Sequence, residues 1–244
     1  MKKLSVLLSL CLTVTCLFAQ TTTPQQLKAA GDKALKAKNY PVAFTKYNQY
    51  LKQTNYQDSV TAFNCGVCAD KSKKYADAAK MFDVAIEKNY NLSSAYVGKA
   101  IALRHQKKSA DYIATLSEAM TKVPGNGTIE KLYSIFYLKK GQAFQKKGNV
   151  KEAAENYMHL TEVSSKKWKT NGLYSLGVLF FNNGASILKK ATPIANSNPD
   201  KYKQEKAAAT SDFKKAVDYL EKAVALSPQR PEIAKLLSQV KASM

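Results

Sequence analysis

Cys65-Gly66-Val67-Cys68 is the stretch of this sequence whose residue types and spacing come closest to a catalytic motif. Two cysteines separated by two residues can alternate between dithiol and disulfide, as thiol–disulfide oxidoreductases require. Those enzymes place the motif at the N-terminus of a helix that follows a strand, where the helix dipole lowers the first thiol's pKa. Here the motif lies inside a predicted helix without a βαβ pattern, so we expect Cys65 to pack in the core. An oxidoreductase that uses Cys65 and Cys68 is the enzymatic alternative.

The other residues that commonly carry chemistry do not form a recognisable constellation. His105 and His159 are the only histidines, and neither belongs to an obvious acid–serine constellation. A second C-x-x-C or a histidine pair that would complete a zinc site is missing. Gly125-Asn126-Gly127 lacks the following Lys-Ser/Thr of a phosphate-binding loop. We therefore predict a chain that is not an enzyme, with no catalytic residue, no metal site and no cofactor.

The N-terminal segment has the layout of a signal peptide. Lys2 and Lys3 precede an apolar stretch over residues 4–18, and Ala19 is a small residue at a plausible cleavage site before Gln20. We predict that residues 1–20 are cleaved on export and leave them out of the fold. The expected location is the periplasm of a Gram-negative bacterium.

Cys16 raises the alternative of a lipid anchor. Bacterial lipoprotein signals place a small residue directly before the cysteine and a leucine two residues earlier. Thr15 and Thr13 occupy those places here. An outer-membrane lipoprotein is therefore not expected.

The charge of the chain narrows the class of partner. Lys and Arg total 38 against 18 Asp and Glu, a formal charge of +20, and the loss of Lys2 and Lys3 leaves +18. Arg104 and Arg230 are the only arginines. Lysine supports general attraction to anionic surfaces, whereas base and phosphate readout favours arginine. Specific nucleic-acid binding is therefore not predicted.

The elements that carry these residues repeat along the chain. A small residue in one segment is followed twelve positions later by the first contact residue of the next, in the pairs Gly31–Ala43, Gly66–Ala78, Ala100–Tyr112 and Gly141–Ala153. A large side chain follows after four more residues, at Tyr47, Phe82, Leu116 and Tyr157. Small residues let two helices approach closely while large ones fill the adjoining groove. The spacing predicts a series of amphipathic helix pairs.

These residues resemble the tetratricopeptide repeat (TPR) family over about residues 24–228. Pro124 and Pro228 also fall where that family ends a repeat. The early tryptophan of the family pattern is absent, and Tyr112 stands in an alanine position. The resemblance implies an all-α fold, a right-handed α-solenoid of antiparallel helix pairs with a C-terminal capping helix.

The predicted boundaries follow from this register. Residues 21–26 are read as a polar leader and residues 27–244 as the solenoid. Its repeats are placed at residues 27–57, 60–90, 94–124, 128–165 and 171–228, with an insertion near 184–210 and a capping helix at 231–242. In the fourth repeat the first helix is expected to be longer by about two turns.

The resemblance also implies a partner-binding groove lined by the first helix of each pair. The lining residues by register are Lys28, Phe63, Val67, Val97, Ile101, Arg104, Leu138, Gln142, Tyr174, Val178 and Phe181. Such a surface suits an amphipathic helix or an extended acidic segment. The carboxylate clamp of chaperone adaptors is incomplete, because Asp32, Ser94 and Gly98 stand where Asn, Lys and Arg belong. Packing against the C-terminal insertion is the competing role for the apolar members.

Lysines recur where each first helix ends. The members of this predicted basic edge are Lys73, Lys74, Lys107, Lys108, Lys146 and Lys147. One interpretation is that they only complement the helix dipole at the end of each first helix. The other is that the stacked repeats align them into a basic ridge, which faces an acidic partner or an anionic membrane surface. The function predicted is a periplasmic interaction scaffold that binds a peptide or protein segment. An accessory of outer-membrane assembly or secretion is the alternative within binding proteins.

Overall fold

The computed structural model describes residues 22–244, so the predicted signal peptide and Cys16 lie outside the described residues. Within that range the regular structure is entirely helical, which confirms the predicted all-α class. The helices are α1 (Pro24–Lys36), α2 (Tyr40–Gln53), α3 (Ser59–Lys71), α4 (Tyr75–Glu87), α5 (Leu92–His105), α6 (Ser109–Lys122), α7 (Gly127–Lys146), α8 (Val150–Met158), α9 (Lys166–Ala191), α10 (Pro199–Leu226) and α11 (Pro231–Ala242). In residues 22–244 no helix combines the length and apolar character needed to cross a bilayer.

Consecutive helices form five packed pairs. The odd-numbered helices α1 to α9 are called A helices, and their even-numbered partners α2 to α10 are called B helices. Each B helix packs on its own A helix and on the A helix of the next pair, and α11 packs on α10. The predicted solenoid of antiparallel helix pairs with a C-terminal capping helix is confirmed.

Glycines on the A helices allow the close approach within each pair. An added Cβ would lie 2.5–3.0 Å from a side-chain atom opposite in the pairs Gly31–Tyr47, Gly66–Phe82, Gly141–Tyr157 and Gly177–Leu220. The third pair has Ala100 opposite Leu116, and both are fully buried. Alanine is the smallest side chain after glycine, so this pair also keeps its helices in contact.

Helix α1 begins at Pro24, before the start expected at Leu27. The Thr23 hydroxyl accepts a hydrogen bond from the Gln26 backbone N–H, and the Gln26 side chain accepts one from the Thr23 N–H. This capping box, with proline in the first turn, starts the helix ahead of its first apolar residue. The spacing of apolar residues does not reveal a helix start that polar capping residues determine.

The fifth pair is lengthened in both helices, with 26 residues in α9 and 28 in α10. Gly184 packs against Phe213 in the same way as Gly177 packs against Leu220. A Cβ on Gly184 would lie 2.7 Å from the Phe213 ring. Gly184 follows Gly177 by seven residues, and Phe213 precedes Leu220 by seven. The same antiparallel register therefore continues through about two more turns of both helices.

Tyr112, which stands in an alanine position of the family pattern, joins the third pair to the fourth. Its ring is 6% exposed and lies 5.8 Å from the Phe136 ring of α7. Its hydroxyl donates a hydrogen bond to the Leu132 carbonyl at 3.3 Å. The large side chain thus fills the contact between α6 and α7.

Candidate functional site

Four of the predicted groove residues line one cavity between α3 and α5. Phe63 and Val67 come from α3, and Val97 and Ile101 from α5. The cavity, called the α3–α5 cavity below, has a volume of about 330 Å³. All four side chains are only half-buried, so apolar surface remains open to a ligand.

Gly98 and Phe82 shape the floor of the α3–α5 cavity. A Cβ on Gly98 would lie 2.5 Å from the Phe82 ring, so only glycine lets α5 approach that ring so closely. The Phe63 ring meets Phe82 edge to face at 5.7 Å between centroids. The floor is thus formed by a buried aromatic ring of α4.

Polar residues that the groove prediction did not include also line the cavity: Asp70, Ser93, Ser94, Asn126 and Thr128. Asp70 follows Val67 by three positions on the same helix face, so helical spacing alone would have found it. Asn126 directly precedes α7, and its Oδ1 accepts hydrogen bonds from the N–H groups of Thr128 and Ile129 in the first turn of that helix. No helical register predicts a loop residue at this place.

Lys28 takes part in a link between the first two repeats. Its Nζ lies 2.6 Å from Asp58 Oδ2, an oxygen that also accepts from the Tyr50 and Thr61 hydroxyls. Burial opposes ionisation of Asp58, but these hydrogen bonds and the one from the Thr61 N–H outweigh it and hold its pKa below the ordinary value. The hydrogen bond to Asp58 correspondingly raises the pKa of Lys28.

Predicted groove residues in the last two repeats contact the protein's own core. The Phe181 ring lies 5.9 Å from the Phe213 ring of α10, and the Tyr174 ring lies 5.6 Å from the Arg230 guanidinium carbon. Leu138 packs on the cluster shared by α8 and α9. The remaining three predicted groove residues do not line the α3–α5 cavity. Arg104 and Gln142 are exposed, and Val178 is half-buried.

Cys65 and Cys68 are free thiols with no exposed surface. The Cys65 thiol donates to the Phe44 carbonyl at 3.9 Å. Burial raises the pKa of the Cys68 thiol to about 11, and burial together with Cys68 raises that of Cys65 further. A redox nucleophile needs an accessible thiolate, so this environment suits core packing, as expected for Cys65, and not thiol exchange.

The two histidines stack on tyrosines in different repeats. His105 lies parallel to Tyr75 with centroids 4.5 Å apart. His159 stacks on Tyr137 at 3.9 Å, and its Nδ1 lies 3.1 Å from the Tyr133 hydroxyl. Within residues 22–244, no three His, Cys, Asp or Glu side chains are grouped as metal ligands.

The lysines of the predicted basic edge lie in the turns between A and B helices, except Lys146, which is the last residue of α7. Lys73 and Lys107 adopt left-handed backbone conformations with φ of 60° and 61°, and Gly148 takes the equivalent place in the fourth pair with φ of 76°. Lys74 Nζ lies 5.0 Å from the Phe44 ring centroid. None of the six edge lysines joins an ion pair among the described residues. Their charges are therefore not neutralised within that part of the chain.

The known proteins that are similar to this chain are built from tetratricopeptide repeats. A family model described as tetratricopeptide repeat matches residues 135–167. The solved structure of a TPR repeats protein from Bacteroides fragilis NCTC 9343 is 63% identical, with coverage of 92% of this chain and 100% of that one and a TM-score of 0.90.

Two other solved structures are far more distant. One is a tetratricopeptide repeat protein from Parabacteroides merdae ATCC 43184, with 15% identity, coverage of 91% of this chain and 73% of that one, and a TM-score of 0.37. The other is the TPR2AB domain of yeast Sti1 in complex with pHSP90, with 14% identity, coverage of 89% and 98%, and a TM-score of 0.35. No curated protein matches the sequence significantly.

Proposed function

Because the chain belongs to the tetratricopeptide repeat family, we propose that it is a non-catalytic interaction scaffold that holds a segment of a partner protein against its A helices. The observation that carries the proposal is the α3–α5 cavity, where Phe63, Val67 and Ile101 present apolar surface that the chain itself leaves open. Its volume is at the lower end of the roughly 300–1,000 Å³ of ligand pockets. It therefore suits one anchoring side chain of an extended segment.

The residues that flank this anchor on the partner are proposed to be acidic. The six lysines of the basic edge lack ion-pair partners among the described residues, and residues 21–244 carry a net charge of +18. Such a surface attracts anionic segments at long range, and the attraction weakens as salt is added. An anionic membrane is the competing ligand for these lysines, and binding to vesicles of anionic lipid distinguishes the two.

We propose that the protein acts in the periplasm of a Gram-negative bacterium after cleavage of residues 1–20. The charged start and apolar run of this segment support the proposal. Mass spectrometry of the N-terminus from fractionated cells tests it. A mature chain that starts at about Thr21 is expected, whereas an intact N-terminus or lipidated Cys16 would overturn the proposal.

A matched pair of substitutions on α3 tests the scaffold function. Val67→Lys places a long cationic side chain in the α3–α5 cavity, whereas Val60→Lys makes the same change at a side chain that is 43% exposed and lies outside it. Proteins crosslinked to each variant in cells are quantified after confirming equal melting temperatures. We expect a partner that falls at least about tenfold with Val67→Lys alone, a loss of about 1.4 kcal/mol in binding. Equal recovery with both variants would contradict groove binding.

A further inference from the structure

One carboxylate in the α3–α5 cavity has no hydrogen-bond partner. Asp70 lines the cavity beside Val67, and its Oδ1 is buried and accepts no hydrogen bond from the described residues. A buried carboxylate oxygen without a donor is costly, because the lost hydration is not replaced. Most buried polar atoms of folded proteins are satisfied, so the Asp70 carboxylate is a candidate acceptor for a group supplied by a ligand.

The residues around Asp70 offer its carboxylate no cationic partner. The cavity lining contains no lysine, arginine or histidine, and Asp70 forms no ion pair within residues 22–244. Yet the chain has about twice as many basic as acidic residues, 38 against 18. The acidic group is thus set among apolar side chains and hydroxyls, in a protein where basic partners are abundant.

We propose, building on the groove function above, that the α3–α5 cavity binds a lysine or arginine side chain of the partner segment. The methylene stem of such a residue packs on Phe63, Val67 and Ile101, while its cationic end donates to the Asp70 carboxylate. Long cationic side chains bury their stems in this way and keep a polar head for a specific acceptor. Hydrogen bonds between two charged groups are among the strongest in proteins.

The other classes of anchor fit the cavity less well. A glutamate or aspartate would bring a second carboxylate next to Asp70, and a purely apolar side chain would leave Oδ1 without a donor. The hydroxyls of Ser93 and Thr128 also line the cavity and can accept further N–H groups of an ammonium or guanidinium. The partner motif inferred is therefore a basic anchor within an otherwise acidic segment.

Peptides selected from a random 12-residue display library on the wild-type protein provide the probe. The best binder is resynthesised with its basic anchor replaced by norleucine, which keeps the stem and removes the amine, or by glutamate. Binding is measured by calorimetry on the wild type, Asp70→Asn and the control Asp111→Asn, an exposed aspartate of α6 outside this cavity. We expect norleucine to weaken binding at least tenfold on the wild type and the control, but less than threefold on Asp70→Asn.

The outcomes separate this inference from the groove proposal. Selected peptides without a basic anchor, or equal binding of the lysine and norleucine peptides, would overturn the basic anchor. If Val67→Lys still abolished binding in that case, groove binding itself would stand. Binding that survives Val67→Lys, or a library that enriches no peptide, would count against both.

The stability of Asp70→Asn provides an independent readout. Because the Asp70 carboxylate has no protein donor to lose, we expect this variant to melt at the wild-type temperature or above it. A decrease of several degrees would mean that Asp70 holds the fold together, and would contradict its assignment to a ligand.

Discussion

The close contact between Gly141 and Tyr157 shows how single residues set the distance within a helix pair. A Cβ on Gly141 would lie 2.5 Å from the tyrosine ring, which is 1% exposed and has no free space to move into. The ring is also held by its hydroxyl, which donates to Gln145 Oε1 at 2.6 Å. A single methyl group must therefore push two helices apart or distort the tyrosine.

We predict that Gly141→Ala lowers the free energy of unfolding by about 1–3 kcal/mol, because overpacking outweighs the gain in helix propensity. Adding Tyr157→Leu, which copies the Ala100–Leu116 pair of the third repeat, should show a favourable coupling of about 1 kcal/mol or more. Urea denaturation of the single and double variants measures it. Gly127→Ala is the control in the same helix, because nothing lies within 4 Å of the added methyl.

From the environment of the Asp58 carboxylate we predict that the free energy of unfolding decreases at acidic pH. Its pKa in the folded protein is lowered, so its ionised form stabilises the fold above the unfolded value of about 4, and this contribution is lost as the pH falls below that value. We expect Asp58→Asn to cost about 1–3 kcal/mol at pH 7 and to flatten the stability profile between about pH 5 and pH 2. Asp218→Asn, an exposed ion-pair partner, should change little. Parallel profiles for wild type and Asp58→Asn would refute the assignment.

At the scale of helices, Glu130 joins the fourth repeat to the fifth. It lies in the first turn of α7, is 2% exposed, and accepts hydrogen bonds from the backbone N–H groups of Ser164 and Ser165 at 2.9 Å each. Ser165 precedes the first residue of α9 and makes no side-chain cap of its own. A buried carboxylate from one repeat thus caps the helix that begins the next, where the helix dipole favours negative charge.

We predict that Glu130→Ala lowers the free energy of unfolding by about 1–3 kcal/mol, because two backbone N–H groups lose their charged acceptor. Glu130→Gln should lose less, since its amide oxygen can replace one of the two. Hydrogen exchange at the start of α9 should accelerate in Glu130→Ala more than in α1, which is remote in the sequence. Uniform acceleration across all helices would argue against a local cap.

At the scale of the whole molecule, the net positive charge opposes compaction. Residues 21–244 carry +18, and the six ion pairs of lysine or arginine found among the described residues neutralise few of the lysines. Salt screens repulsion between exposed charges over distances beyond about 10 Å at 0.1 M. Stability should therefore depend on ionic strength even without a partner.

We predict that raising NaCl from about 0.02 M to about 0.3 M increases the melting temperature by roughly 2–4 °C, corresponding to about 1 kcal/mol. Calorimetry on the purified chain measures this. A variant with the six basic-edge lysines changed to glutamine should show a smaller increase. A fall in melting temperature with salt would mean that attractive ion pairs dominate instead.

The pairing of the helices could be predicted from the sequence because it depends on residues close together in the chain. Gly66 and Phe82 meet across a single turn, so their spacing carries the geometry of the contact. Phe63 and Val67 could be assigned to the same surface for a similar reason, since helical periodicity is local. The start of α1 at Pro24 could not be found from apolar spacing, because polar capping residues set it.

The cavity itself required the tertiary structure. Asn126 reaches it from a loop, and Lys28, assigned by register to the groove, is held instead by Asp58 of the next repeat. Such contacts join residues that are distant in the sequence, and their partners depend on how successive repeats are rotated and on which rotamers fill the space between them. The spacing of residues along one helix does not determine the rotation between repeats or the rotamers. It does determine which small residue packs against which large one within each helix pair.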